Sequence, residues 1–467
     1  MFENRIEELK EEIIEKTCEL IKIPSVNSES IDKKKPFGEE INRALEYTLD
    51  LGKKLGFRTK NIDGYCGYIE FGEGEELVGI IGHLDVVPIG EGWIHNPFEA
   101  QIEDGKIYGR GAIDDKGPVI ASLYAMKAVI DIAKVNKNVR LILGTNEERD
   151  WKCINYYKEH EKWPTIGFSP DADFPCIYAE KGIETIYFES KYNNQNEKIK
   201  IKNINCKNNA INVVPKYCMV ELEINDTKIL IKEVVNFIEK IKENKRLDVE
   251  IEIKNNKEIK LETKGVSAHA AHPDLGKNAI SIMMQILKEV LENFEIDNDL
   301  VNFFDESIGM DFNGKKAKIY VKDESGELTL NVGDFSLENE VLKFGINLRI
   351  PVNTNFEYVE EKLEECIGNY KNLKMTIKAK QDSLYVDKNS YLVKTLCNIF
   401  NEVTGKNDDP IAIGGGTYAR AFKNVISFGA NMPGNKDMCH QVDEYIKIDD
   451  LLLASKIYAK AIYELAK

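Results

Sequence analysis

A chain of 467 residues with 43% apolar and 30% charged side chains is too long for one core and too mixed for a disordered or coiled-coil protein, so two or more domains are expected. A formal net charge of −16 sets the surface against phosphate backbones and anionic headgroups, which argues against nucleic acid and membranes as partners. No apolar run approaches the roughly 20 residues that span a bilayer, the Glu/Lys-rich start has no secretory apolar core, and the nine Cys are odd in number and show no CxxC spacing, so a cytoplasmic protein with reduced thiols is expected.

The first 55 or so residues predict two amphipathic helices, marked by Ile6, Leu9, Ile13 and Ile14 and then by Ile41, Leu45 and Leu49, with Pro24 closing the first. Leu77–Ile81 and Val139–Leu143 are short apolar runs of buried-strand type, and Ile166-Gly167-Phe168 is a third. A helix between them opens near Pro118 and runs to about Lys134. This alternation predicts an α/β domain with a mostly parallel sheet.

From about Gly182 to Lys380 the strands alternate apolar and polar residues: Tyr217–Ile224, Val249–Ile253, Ile259–Thr263, Leu342–Ile350 and Met375–Ile377. Amphipathic helices separate them, the pattern of a half-exposed, mostly antiparallel sheet covered on one face. Pro215–Lys254 and Leu342–Lys380 both read strand, helix, strand, an internal repeat that coincidence would explain equally well. The α/β character returns from about Leu384, with a helix near Tyr391–Glu402, a Gly-rich loop, the strand Val425–Phe428 and a closing helix from Leu451. We therefore expect a catalytic domain of residues 1–183 and 381–467, interrupted by an α+β lid domain of residues 184–380.

Acidic and imidazole side chains recur at one kind of position, just past an apolar strand. His83 and Asp85 follow the first run, Glu147 and Glu148 the second, Asp171 and Asp173 the third, and His440 follows Val425–Phe428 after a loop. Asp114 and Asp115 open the helix. In open parallel sheets that edge is where ligands bind. Singly, each has an ordinary explanation: a surface His-x-Asp, a solvated glutamate pair, a helix cap. Together they form a donor set without thiolates that suits Zn²⁺, with Mn²⁺ or Co²⁺ as alternatives. Two such ions sharing one carboxylate would stand roughly 3.5–4 Å apart and could bind both a water and a carbonyl.

The motifs Gly82-His83-Leu84-Asp85-Val86-Val87-Pro88, Gly109–Pro118, Thr145–Glu148, Ser169–Pro175, Gly265–Pro273, Gly414–Arg420 and His440 follow one another over nearly the whole chain. In that order they resemble the co-catalytic zinc metallopeptidase family of aminoacylases, glutamate carboxypeptidases and dipeptidases, and within it the PepV-type bacterial dipeptidases. The resemblance implies that Asp114 bridges two metals, that Glu148 and His440 complete one site, and that His83 and Asp171 complete the other. It implies that Asp85 hydrogen-bonds the far ring nitrogen of His83, that Glu147 is the general base, and that the peptide after Asp114 is cis. His269 would stabilise the oxyanion. Asn212 and Arg349 match substrate-binding positions, Arg349 forking onto a terminal carboxylate. Gly415 and Gly416 would let the backbone approach the substrate. The rival reading of that glycine run, a phosphate cradle, lacks the following Lys-Ser/Thr.

The substrate implied is a small peptide with a free C-terminus. An N-acyl amino acid deacylase would need the same metal chemistry, with Asp173 as a possible amine partner separating the two readings. A non-catalytic binding protein would be expected to lack ligands, and none is missing. Many family members have a lid of about half this length and borrow the lid histidine from a dimer partner. Here the lid suggests two fused ferredoxin-like modules, the second carrying His269, so a monomer is expected to complete its own site. His272 and Cys439 read as structural.

Overall fold

Leu77–Ile81 lacks polar side chains because the strand it forms, Leu77–His83, is buried along its whole length. The computed structural model describes residues 2–28, 30, 32–192, 198–206 and 210–467. The strand lies inside a sheet running Arg58–Ile62, Cys66–Phe71, Asn138–Gly144, Leu77–His83, Ile166–Ser169, Val425–Ser427, Ile177–Glu180, Leu384–Tyr385. The four strands from Asn138–Gly144 to Val425–Ser427 are mutually parallel, and antiparallel strands extend both sides. Central parallel strands are covered on both faces, which is why they read as unbroken apolar runs.

One face is covered by the helices Lys116–Ile132 and Ile448–Ala466, which also pack on each other. The first is buried nearly all round, through residues such as Val119, Ile120, Leu123 and Met126. It starts two residues before Pro118, which sits in the first turn where a missing N–H is harmless. A cluster including Phe37, Ile41, Ile81, Tyr157, Tyr418 and Phe422 forms a second core region. The amphipathic first stretch is broken at Leu9 into Glu3–Glu8 and Lys10–Ile21, so three helices stand where two were expected.

The chain divides into a first unit of Met1–Ala179, Leu384–Ile411 and Gly416–Lys467, and a second of Glu180–Ser383 with Ala412–Gly415. The sequence reading places these boundaries after residues 183 and 380 and misses the four-residue return at Ala412–Gly415. That segment begins inside the three-residue strand Ile411–Ile413, too short to leave a periodicity.

The second unit holds two four-stranded antiparallel sheets. One runs Ile199–Asn205, Tyr217–Ile224, Glu258–Lys264, Val249–Ile253; the other runs Thr329–Glu338, Val341–Ile350, Gly182–Lys191, Leu373–Gln381. In each, a helix (Ile231–Lys245 or Phe356–Ile367) connects two strands that the sheet separates by a third. This is the split strand–helix–strand of ferredoxin-like modules, and it gives the repeated order in the sequence a structural basis. The separating strand differs in origin: Glu258–Lys264 follows its pair, whereas Gly182–Lys191 precedes its pair by more than a hundred residues. One apolar cluster, from Ile186 to Leu373, holds both sheets. Among the described residues no helix is long and apolar enough to cross a membrane.

Candidate active site

Parallel pairing aligns the carboxyl ends of the central strands, with His83 opposite Gly144. The loops that leave those ends carry Asp85, Glu147-Glu148 and Asp171. Asp115 caps the helix Lys116–Ile132 and so places Asp114 at the same edge. The Asp114–Asp115 peptide is cis. His440 arrives on the loop after Val425–Ser427 and adopts φ 63°, a left-handed conformation uncommon outside glycine.

Asp114 stands between the two histidines. Its Oδ1 lies 2.9 Å from His83 Nε2, and its Oδ2 lies 3.0 Å from His440 Nε2. Asp171 Oδ2 is 3.6 Å from His83 Nε2, and Glu148 Oε1 is 3.0 Å from His440 Nε2. Donor atoms of His83, Asp114 and Asp171 all lie within 4.8 Å of one another, as do those of Asp114, Glu148 and His440. Two three-donor groups therefore share one carboxylate. A further group, His83 with Glu147 and Glu148, meets the same limit.

The supporting contacts explain why these groups hold still. The Asp85 carboxylate accepts the N–H groups of Glu147 at 3.0 Å and Glu148 at 3.1 Å. His83 Nδ1 lies nearest the Asp85 backbone carbonyl, at 2.9 Å, with the carboxylate at 3.5 Å. Asp85 thus contacts the ring chiefly through its main chain, because its side chain is taken up by the glutamate loop. Asp115 Oδ2 accepts the His83 N–H at 3.1 Å, while its Oδ1 is buried without a hydrogen-bond partner in the described residues. Glu444 accepts from Ile113 N, Asp114 N and Arg110 Nη1 at 3.0, 3.3 and 2.7 Å.

Six carboxylates, of Asp85, Asp114, Asp115, Glu147, Glu148 and Asp171, crowd around two imidazoles. Burial would raise the Asp114 carboxyl, but the hydrogen bonds from His440 and His83 override it and hold it well below the usual range. Burial pushes Glu147 and Asp115 well above it, neighbouring carboxylates adding to the effect. Burial and then the charge of Asp114 raise Glu148 and Asp171. For both histidines burial opposes protonation, and the facing carboxylates outweigh it. Such an excess of buried negative charge calls for cations. The donor set, oxygen and imidazole nitrogen without thiolate, fits divalent ions of the zinc class.

The other candidates lie in the second unit, Gly416 excepted. His269 is exposed on the loop after Glu258–Lys264, pairs with Val213, and accepts the Ala271 N–H at Nδ1, 3.3 Å away. Asn212 is also exposed; its carbonyl accepts the Ala270 N–H at 2.9 Å, so the Asn212 and His269 loops are tied together. Asn331 tightens that tie by donating to the carbonyls of Ile211 and Val213, both at 3.0 Å. Arg349 is buried and donates to the Gly414 carbonyl at 2.8 Å. Gly415 belongs to this unit and Gly416 to the first.

Glu444, Arg110, Asp115 and Asn331 went unrecognised as supporting residues in the sequence. They act through backbone groups of loops, and only the Gly109–Pro118 motif drew attention to two of them. Asp173 hydrogen-bonds Asn431 at 2.8 Å.

The model of peptidase family M20/M25/M40 matches residues 79–464. The Bacillus subtilis (strain 168) protein named "Putative dipeptidase YtjP" is 40% identical over 468 residues, covering 98% of each chain. The chain belongs to peptidase family M20/M25/M40. It is thus a hydrolase of the peptidase class, and membership of the M20 metallopeptidases implies divalent metal ions. A Staphylococcus epidermidis relative, also named as a dipeptidase of this provisional kind, is 35% identical over 482 residues, covering 100% of this chain and 99% of its own. Among solved structures, human carnosine dipeptidase 1 aligns with a TM-score of 0.61 at 16% identity, covering 99% of this chain and 98% of that one. The Saccharomyces cerevisiae di-peptidase Dug1p aligns at 0.58 and 14%, with the same coverage. At those identities the likeness is one of fold, and the M20 fold is what it supports.

Proposed function

We propose that this M20 protein is a dipeptidase working with two divalent ions, zinc before manganese or cobalt. One observation carries the reading: the two oxygens of Asp114 face two different histidines, each accompanied by its own carboxylate. The dipeptidase names of relatives at 40% and 35% identity support the substrate class. His83 and Asp171 would hold one ion, Glu148 and His440 the other, with Asp114 common to both. When bound, such ions supply Lewis acidity toward the scissile carbonyl and lower the pKa of water.

The remaining work falls to side chains. Glu147 accepts the proton of the attacking water and returns it to the leaving amine. Asp85 keeps Glu147 in place by holding its N–H. His269 donates to the oxygen that gains charge in the transition state. Arg349 pairs with the substrate's terminal carboxylate, which selects short peptides, and Asn212 and the backbone of Gly415 and Gly416 line the substrate. The lid built of two ferredoxin-like modules is the ground for proposing the monomer as the working form, in the cytoplasm.

The test is metal analysis of the purified protein joined to a dipeptide-library assay, with each dipeptide run beside its N-acetylated analogue. Hydrolysis of free dipeptides and two ions per chain are expected. Preference for the acetylated analogues would replace the reading with a deacylase. Glu147→Gln should keep both ions and lose turnover by roughly 10²–10⁴-fold. His269→Ala should keep both ions and lower kcat; loss of metal in either variant would remove that residue from its assigned role.

A further inference from the structure

Of the nine cysteines, two meet sulfur to sulfur across a strand pair. In the second unit Asn205 pairs with Met219 on antiparallel strands, so the next pair outward is Cys206 with Cys218. Their Sγ atoms are 3.3 Å apart. Cys218 is fully buried beneath the sheet, while Cys206 is partly exposed and also points its Sγ at the Phe335 carbonyl, 3.4 Å away. Cys176 and Cys397 also face each other, whereas Cys153 faces the Tyr418 hydroxyl and Cys366 the Ala317 carbonyl.

We infer that Cys206 and Cys218 form a redox-active dithiol that closes to a cross-strand disulfide when it meets a low-molecular-weight disulfide. Directly opposed residues of an antiparallel pair have Cβ atoms about 4.5–5.5 Å apart, and a disulfide needs about 3.5–4.5 Å. Sulfurs already 3.3 Å apart must close to about 2.05 Å. A small turn of the Cys206 side chain away from Phe335 supplies much of that movement.

The chemistry is two thiol–disulfide exchanges. The accessible Cys206 thiolate attacks one sulfur of the reagent, forming a mixed disulfide and releasing one thiol. The Cys218 thiol then attacks Cys206 Sγ, its proton passing to the thiolate that is expelled. Two electrons pass from the protein to the reagent, and the two protein protons leave on the released thiols. The bridge closes a ring around Asn212, which lies between the two cysteines and is tied to the His269 loop through Ala270. Oxidation therefore adds a covalent link between the strand ends on either side of Asn212.

The full-length protein is reduced, desalted and exposed to oxidised glutathione. Free thiols are then alkylated, the protein is reduced, and the newly freed thiols are alkylated with a second reagent before peptide mapping. Wild type should show Cys206 and Cys218 carrying the second label together, with no glutathione retained. Cys218→Ser should retain one glutathione on Cys206, and Cys206→Ser should leave Cys218 with the first label or unlabelled. First label on both cysteines of oxidised wild type overturns the inference. So does glutathione held stably on Cys206 of wild type, or a bridge that maps only to Cys176 and Cys397. The wild-type map decides alone if a variant does not fold.

Discussion

Arg110 donates to Glu444 at 2.7 Å, with both side chains buried. The pair joins two loops of the site, because Glu444 also accepts the N–H groups of Ile113 and Asp114 while Arg110 reaches the carbonyls of Gln441 and His440 at 3.2 and 3.4 Å. Removing one partner of such a pair leaves the other charge buried and uncompensated, at about 3–5 kcal/mol. Glu444→Ala should therefore lower the free energy of unfolding by that order in urea titration, and Glu444→Gln, which keeps one acceptor, by less. A change below about 1 kcal/mol in the alanine variant would mean that the loops are held by something else.

Asp85 is the acceptor for two successive N–H groups of the Glu147-Glu148 loop. Asp85→Ala frees that loop and removes the carboxylate 3.5 Å from the His83 ring, while the backbone carbonyl that faces the ring stays. Loss of an outer partner of this kind typically weakens metal binding by roughly 10–100-fold. Competition with a chelating dye reads it directly, without reference to turnover, and an unchanged affinity would confine Asp85 to a role in folding.

Gly82 has no room for a side chain. A Cβ there would lie 2.5 Å from Asp115 Oδ2 and 2.6 Å from Val119 Cγ2. Gly82→Ala must push the helix start away from the strand that bears His83. A loss of about 1–3 kcal/mol is expected from overpacking, seen as a lower denaturation midpoint. Gly368, where φ is −56° and an added Cβ meets nothing closer than 3.4 Å, is the control position for crowding alone.

Glu184 is fully buried in the second unit, where burial and the facing Glu360 push its carboxyl up to about 8 from the ordinary 4.5. Lys380 Nζ, 3.8 Å away, offsets this only in part. Between those two values the folded chain holds a proton that the unfolded chain has released. Stability from this group is thus complete below about pH 4.5 and falls as pH rises toward 8. Glu184→Gln should flatten that slope in unfolding curves measured at a series of pH values. An unaltered slope would show that Glu184 ionises normally.

The proposed ligands are legible in the sequence because charge directly after Leu77–Ile81 or Val139–Leu143 has no place in a buried strand. The repeat was visible as strand, helix, strand, but its meaning was not. The strand that splits each pair comes from a different place in the chain, and pairing between Gly182–Lys191 and Val341–Ile350 leaves no local trace. Glu444 was hidden for a related reason. Its role depends on the path of the Ile113-Asp114 backbone, and a lone glutamate after His440 looks like any solvated residue.

The first unit is written in separate stretches of chain, with His440 in the last of them. A ribosome therefore delivers His83, Asp114, Glu148 and Asp171 first, then spends the whole of Glu180–Ser383 on other structure. Throughout that interval Asp114 Oδ2 lacks the His440 ring that faces it in the folded chain. On the proposed two-ion reading, capture of the second cation follows synthesis of residue 440, and a nascent chain stalled before it is expected to hydrolyse no peptide.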